Sequence, residues 1–454
     1  VNVIMKFGGT SVADAEAVLR VSGIVKRQLE AHADSRPPVV VVSAMSKVTD
    51  RLVEVSRLTS QGAGEEAAQL LTELLQRHVN VAGGLMAGEA LATVTTELQQ
   101  SFDDLRDLVR KLAPTHDVSP RAADSILAMG ELASSRMVSA AFKAQQVPAV
   151  WVDSRAVLVT DGEHTAAVPE MALTSDRVRE IVGTKVAAGL VPVMAGFIGA
   201  TGEGVTTTLG RGGSDYSAAI FGACLDVDEI QIWTDVDGML TADPRVVPEP
   251  RLVPQLSFAE ASELAYFGAK VLHPSTILPA VAKNIPVRIL NSRRPEVTGT
   301  RITAAVRSDG SALTALACKR GVTVIDITST RMLMAHGFLR RLFEVFERFK
   351  TPVDVVTTSE VSVSVTVDNP KRLRDVIDNL GAFAEVACEA DMAIVCLVGE
   401  NLRTDPSLFS RAVTSLERIP LRLVSQAASR RNITFVMRDA DVPAAMNRLH
   451  QALF

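Results

Sequence analysis

Through about its first three hundred residues the chain alternates short, unbroken apolar runs with longer helical stretches. Val3-Ile4-Met5 leads into a glycine turn, and Val39-Val40-Val41-Val42 follows the turn formers Pro37 and Pro38. Ala149-Val150-Trp151-Val152, Val191-Pro192-Val193-Met194 and Glu229-Ile230-Gln231-Ile232-Trp233 share that texture. An unbroken apolar run suits a strand covered on both faces, as in a parallel sheet, whereas a half-exposed strand alternates. Residues 65–79 and 92–111 between the runs have helical character. Strand and helix in alternation imply an α/β sandwich around a mostly parallel sheet.

Past about residue 297 the texture changes. Residues 297–312 are rich in threonine, glycine and small polar side chains and are read as a linker. A unit then occurs twice. Residues 337–350 place Phe338, Leu342, Phe346 and Phe349 on one helical face. Pro352-Val353-Asp354-Val355-Val356 follows, and then the strictly alternating Val361-Ser362-Val363-Ser364-Val365-Thr366-Val367, the mark of an antiparallel strand with one buried face. The order recurs with a helix over 407–418, the runs 420–425 and 432–436, and a final helix. A doubled helix–strand–strand–helix unit fits two ferredoxin-like βαββαβ modules. With 454 residues, two or three domains are expected. The expected division is 1–296, a linker over 297–312, and a tail over 313–454. Within the tail, one module spans about 330–395 and the other 313–329 with 396–454.

Bulk properties exclude several roles. A formal net charge of −5 gives no reason to expect a nucleic-acid or anionic-membrane partner. A small anionic substrate therefore needs a local basic pocket. Cys224, Cys318, Cys388 and Cys396 show no metal-ligand or disulfide spacing, so a reducing compartment is the simpler reading. The start, Val-Asn-Val-Ile-Met-Lys-Phe-Gly-Gly, does not read as a signal peptide. The longest apolar run, 186–200, is broken by Gly189, Pro192 and Gly196 and is too short to span a bilayer. A cytoplasmic protein is expected.

Three glycine-containing segments could carry chemistry. Lys6-Phe7-Gly8-Gly9-Thr10-Ser11 lies between a strand and a helix, where glycines admit a close ligand and helix N–H groups face phosphate. Its lysine precedes the glycines, so it is not a Walker-type loop. Thr206-Thr207-Thr208-Leu209-Gly210-Arg211-Gly212-Gly213-Ser214-Asp215 feeds a helix over 216–224. Its guanidinium can grip a carboxylate and its acid can hold an ammonium, so the loop suits a zwitterionic amino acid. Asp215 alone could be a first-turn acid at a helix dipole, but a capped turn does not need Arg211 as well. The third segment, Ile232-Trp233-Thr234-Asp235-Val236-Asp237-Gly238, ends a strand, where α/β sheets bind ligands. Lys270 and His273, in Phe267-Gly268-Ala269-Lys270-Val271-Leu272-His273-Pro274, say little alone, and His273 is read as structural. Phosphate cradles, lysines and an arginine–acid pair suit phosphoryl transfer, which rests on positioning and charge neutralisation.

Taken together, these segments resemble the aspartate kinases of the amino-acid kinase superfamily. The matching stretches are Lys6 to Val12, Gly130-Glu131-Leu132, Thr206 to Asp215, Trp233-Thr234-Asp235, Asp243-Pro244-Arg245 and Phe267 to Pro274, in family order. The repeated tail corresponds to paired ACT domains, and the chain looks most like the monofunctional, lysine-sensitive type. The resemblance implies a three-layer αβα sandwich with a mostly parallel sheet, followed by two ferredoxin-like ACT domains. It implies ATP-dependent phosphorylation of the L-aspartate side chain, the first step toward lysine, threonine and methionine. Lys6 and Asp215 become the catalytic pair, and Arg211, Glu131, Thr49 and Ser214 the aspartate pocket. Nucleotide contacts fall to Lys6, Gly8, Gly9, Ser43, Thr234, Asp235, Leu240, Arg245, Lys270 and Val271. Mg²⁺ is carried mainly by the ATP phosphates, with no protein metal site. Leu240 stands where relatives often place an aromatic.

For the tail the resemblance implies feedback by an end product, lysine above threonine. The implied effector residues are Met332, Ala335, Phe338, Leu339, Pro352, Val353, Asp354, Thr358, Ser359 and Glu360, with Asp354 taking an ammonium. Such sites lie at module interfaces, which implies a homodimer through 313–454. The rivals are another acidic amino-acid kinase and a catalytically impaired sensor. The first does not account for the paired tail, and the second leaves Lys6, Arg211 and Asp215 without a purpose. A nicotinamide dehydrogenase is disfavoured because no Gly-x-Gly-x-x-Gly follows the first strand.

Overall fold

The computed structural model describes residues 2–32, 35–269, 272, 274–305, 312–329, 336–368, 370–426 and 430–454. Two units separate by packing: Val1–Met239 with His273–Ala305, and Leu240–Leu272 with Val306–Phe454.

In the first unit the valine-rich runs become the middle of a sheet. Its strand order is Ala149–Val152, Val191–Ala195, Val39–Val42, Val3–Phe7, Glu229–Thr234, Val287–Asn291 and Thr300–Thr303. All neighbours pair parallel except Thr300–Thr303, which runs antiparallel to Val287–Asn291. Thr300–Thr303 falls inside the stretch read as a linker. Val3–Phe7 and Val39–Val42 are buried at every position, as the unbroken apolar runs require.

One strand face meets helices from the first half of the unit. Val3, Met5, Phe7, Val40 and Val42 share a core with Leu52, Leu71, Leu98, Phe102, Ile126 and Phe142. Burial of side chains this large contributes about 1.5–3 kcal/mol each. Against the other face packs the Gly213–Leu225 helix, whose buried face runs from Ser217 to Cys224. Helix starts follow local chemistry: Asp14 accepts the Ala17 N–H at 2.8 Å, and Ser119 caps the Pro120–Ala144 helix. Among the described residues no helix is long and apolar enough to cross a membrane.

The second unit is built on an antiparallel sheet ordered Val356–Thr358, Ser362–Val367, Leu313–Thr328, Glu385–Gly399, Asn432–Arg438 and Leu423–Gln426. The two long central strands serve both modules. Their register shifts between Arg320 and Val324, where Gly321 and Asp391 adopt left-handed backbone at φ +70° and +57°. Thr323–Thr328 therefore pairs with the first module's Ser362–Val367. One core gathers Ile325, Leu342, Phe346, Val363, Val376 and Leu380, and another gathers Leu316, Val395, Leu397, Phe435, Met446 and Leu449.

Ala242 and Val247 join that second core, and Leu316 N–H donates to Thr241 O at 2.7 Å. Thr241 Oγ1 also lies 2.8 Å from His450 Nε2. These contacts bind Leu240–Leu272 to this unit. Residues 351–355 are irregular and the short strand begins at Val356, although Asp354 N–H still donates to Thr366 O at 2.9 Å.

Candidate active site

Lys6 sits near the carboxyl end of Val3–Phe7, paired in register with Val41 and Ile232. It points to the face opposite Phe7, toward the Gly213–Leu225 helix. Its Nζ lies 2.7 Å from Oδ1 of Asp215, in that helix's first turn, and Lys6 is only 8 % exposed. An ammonium held this far from water needs such a counter-charge.

The glycines that follow are there for approach. A Cβ on Gly9 would stand 2.8 Å from Ala44 O, and Gly9 O accepts the Ser46 N–H at 3.0 Å. Gly8 N–H donates to Trp233 O at 3.0 Å. These bonds place the turn against residues 43–49, which contribute Ser43 and Thr49.

Glu131 approaches from the Pro120–Ala144 helix. Gly130 permits this, since a Cβ there would meet Ala44 Cβ at 2.9 Å. Glu131 is 4 % exposed; its carboxyl accepts the Ala44 N–H, and its Oε2 is buried without a hydrogen-bond partner among the described residues. Burial pushes this carboxyl up to about 8, despite the backbone donors. A cation placed beside it would favour its ionised form.

The fourth wall is Gly210–Asp215. Gly210 and Gly212 have φ of +75° and +74°, and a Cβ on Gly212 would stand 2.6 Å from Thr276 Cγ2. The turn leaves Arg211 exposed at the rim.

Lys6, Gly9, Ser43, Thr49, Glu131, Arg211, Ser214 and Asp215 thus line one cleft of about 580 Å³. The cleft is also lined by Thr208, from the marked Thr206–Asp215 segment, and by Lys47, Thr165 and Phe197, which carry no sequence mark. These last three are non-glycine residues with left-handed backbone: Lys47 at φ +65°, Thr165 at +70° and Phe197 at +67°. Backbone held in that region collects at functional sites. Phe197 is fixed by its N–H to Ser217 Oγ (3.0 Å) and by Leu209 N–H to its carbonyl (2.9 Å).

Gly8, Thr234 and Asp235 do not line the cleft. Thr234 ends its strand, with its carbonyl accepting Ser292 N–H at 2.8 Å, and Asp235 is exposed. Leu240 and Arg245 belong to the second unit, where Leu240 bridges to Leu252 and Arg245 pairs with Asp243 at 2.6 Å. Lys270, Val271, His273, Met332 and Ala335 lie outside the described residues.

Of the effector residues, Phe338 packs edge-on against Phe383, and Leu339 is exposed on the same first turn. Pro352, Thr358, Ser359 and Glu360 are exposed, Val353 joins the module core, and Ser359 Oγ meets Ser362 Oγ at 2.6 Å. The Asp354 side chain is 2 % exposed. Its Oδ1 accepts from Tyr266 Oη and from Lys319 Nζ, each at 2.7 Å, and its Oδ2 is buried without a partner among the described residues. Lys319 also reaches Asp368 at 2.8 Å. The carboxylate expected to receive an ammonium therefore already holds one from this chain.

The profile of the amino acid kinase family matches residues 2–291, and an ACT domain profile matches 395–453. Lysine-sensitive aspartokinase 3 of Escherichia coli (strain K12) is 33 % identical, covering 100 % of this chain and 99 % of its own. Aspartokinase 3, chloroplastic, of Arabidopsis thaliana is 34 % identical over 99 % of this chain and 81 % of its own. Among solved structures, E. coli aspartokinase III in complex with aspartate and ADP, the R-state, is 33 % identical. It superposes with a TM-score of 0.82 over 100 % of both chains. The same enzyme in complex with lysine and aspartate, the T-state, gives 0.81 at 33 % identity, over 100 % of this chain and 99 % of that one.

Proposed function

We infer that this chain, which belongs to the aspartokinase family, transfers the γ-phosphoryl group of ATP to the side-chain carboxylate of L-aspartate and is restrained by lysine. The observation that carries the reading is one cleft lined by a lysine–aspartate pair, a buried carboxyl whose Oε2 has no hydrogen-bond partner among the described residues, and an exposed arginine. It is supported by the relatives' names and by their complexes with aspartate, ADP and lysine.

In this reading Glu131 receives the substrate ammonium and Arg211 grips the α-carboxylate, with Thr49 and Ser214 closing the pocket. The β-carboxylate is already ionised at neutral pH and needs no general base. Lys6 neutralises charge that builds on the transferring phosphoryl oxygens, and Asp215 fixes where its ammonium points. Gly9 and Ser43 line the phosphate side, and Gly8, in the same turn, is assigned to it. Thr234, Asp235, Leu240, Arg245, Lys270 and Val271 are assigned to the nucleotide. Mg²⁺ is assigned to the ATP phosphates, whose charge it offsets.

Asp354 and its neighbours are assigned to the lysine site. A homodimer through the second unit draws support from Leu339, Phe343, Val356 and Val361, each 38–41 % exposed on the first module. A cytoplasmic location fits four free cysteines.

The test is hydroxylamine trapping with ATP, Mg²⁺ and a panel of acidic amino acids. Hydroxamate should form with L-aspartate and fall when lysine is added. Hydroxamate with glutamate or acetylglutamate alone would redirect the assignment.

A further inference from the structure

The Pro120–Ala144 helix carries a second buried carboxylate, about two turns before Glu131 on the same side. Asp124 is 0 % exposed, and its two oxygens serve three neighbours. Oδ1 accepts the Thr208 hydroxyl at 2.6 Å; the Thr165 N–H reaches Oδ1 and Oδ2 at 3.1 and 3.2 Å; and His164 Nδ1 lies 2.7 Å from Oδ2. A carboxylate this buried is stable only with such donors.

Two of those neighbours, Thr165 and Thr208, are walls of the cleft. Thr165 holds left-handed backbone that a β-branched residue rarely adopts, and its N–H bond to Asp124 is what over-determines it. Its carbonyl in turn abuts the next turn: a Cβ on Gly210 would stand 3.2 Å from Thr165 O. Thr208 O accepts the Ala167 N–H at 2.9 Å, closing the same loop on its strand. Gly210 immediately precedes Arg211.

One helix therefore presents Glu131 directly and, through Asp124, Thr165 and Gly210, fixes the turn that carries Arg211. We propose that Asp124 is the positioning residue of the amino-acid pocket, setting the spacing between the ammonium acceptor Glu131 and the carboxylate clamp Arg211. This rests on the aspartate reading of that cleft. His164 does not line the cleft, and an ionised acceptor carboxylate needs no base, so the Asp124–His164 contact serves geometry rather than proton transfer.

Asp124→Asn keeps the shape and removes the charge, and Thr208→Val removes one donor. Asp124→Asn should raise the aspartate KM about tenfold, as expected for losing charge-assisted hydrogen bonds. The ATP KM and the kcat at saturating aspartate should stay within about threefold, with a smaller KM rise for Thr208→Val. Amides of residues 161–168 should exchange faster with deuterium in Asp124→Asn, and that readout is independent of any substrate. Unchanged aspartate KM and unchanged exchange in both variants would overturn the proposal. So would equal losses in both KM values and kcat accompanied by a fall in Tm, which would mark general damage. Wild-type enzyme that traps no aspartate hydroxamate would instead remove the aspartate reading itself, leaving the exchange result to stand alone.

Discussion

Lys6 Nζ and Asp215 Oδ1 stand 2.7 Å apart, joining the first strand to the first turn of a helix more than two hundred residues later. The side chains are 10 % and 17 % exposed, so the pair is partly dehydrated, yet it still faces the cleft. Lys6→Met should keep the fold and lower kcat roughly 10²–10³-fold, the loss expected when one donor to developing charge is removed. Steady-state turnover checked against circular dichroism tests this.

Glu131 gives a pH dependence. With its empty-site value raised to about 8, the carboxyl is protonated below that pH and must release its proton to bind an ammonium. Aspartate binding should therefore tighten as pH rises toward 8, and below that its KM should climb by up to about tenfold per pH unit. Calorimetry in buffers of different ionisation heat should detect proton release on binding. Glu131→Gln should bind weakly at every pH, without that release.

His78 sets an acid limb of stability. It is fully buried, with Nδ1 donating to Leu74 O at 2.7 Å, and burial drives its value down to about 4. The unfolded chain takes a proton below about 6.5 and the folded chain does not. Stability is thus complete above 6.5 and falls as pH drops toward 4, by up to about 3 kcal/mol from this group. Urea unfolding at pH 7 and pH 5 should show the loss in wild type and less of it in His78→Leu.

Lys319 occupies the carboxylate that lysine is assigned to. Removing it in Lys319→Met leaves Asp354 buried with an uncompensated charge, a costly arrangement that an arriving ammonium relieves. The variant should melt lower without lysine, regain Tm with it, and be half-inhibited at several-fold less lysine than wild type. Thermal shift and inhibition curves check both halves.

Legibility in the sequence followed locality. Lys6-Phe7-Gly8-Gly9 and Gly210 to Asp215 were visible because strand ends, glycines and helix starts leave short-range marks. Thr165 and Phe197 were invisible, since no residue pattern announces left-handed backbone at threonine or phenylalanine. Asp124 could have been found from its place about two turns before Glu131, but its donors come from distant loops. Thr241 and His450 meet across 209 positions, so sequence gave no sign that Leu240–Leu272 would pack with the C-terminal sheet. No local pattern pairs Lys319 with Asp354, 35 positions away.

The most direct measurement follows ¹³C on L-[4-¹³C]aspartate incubated with the enzyme, ATP and Mg²⁺. The account predicts a new C4 resonance split by coupling to phosphorus, which appears with wild type and is nearly absent with Lys6→Met. ATP consumption with C4 unshifted, or an equal C4 product from Lys6→Met, would contradict it.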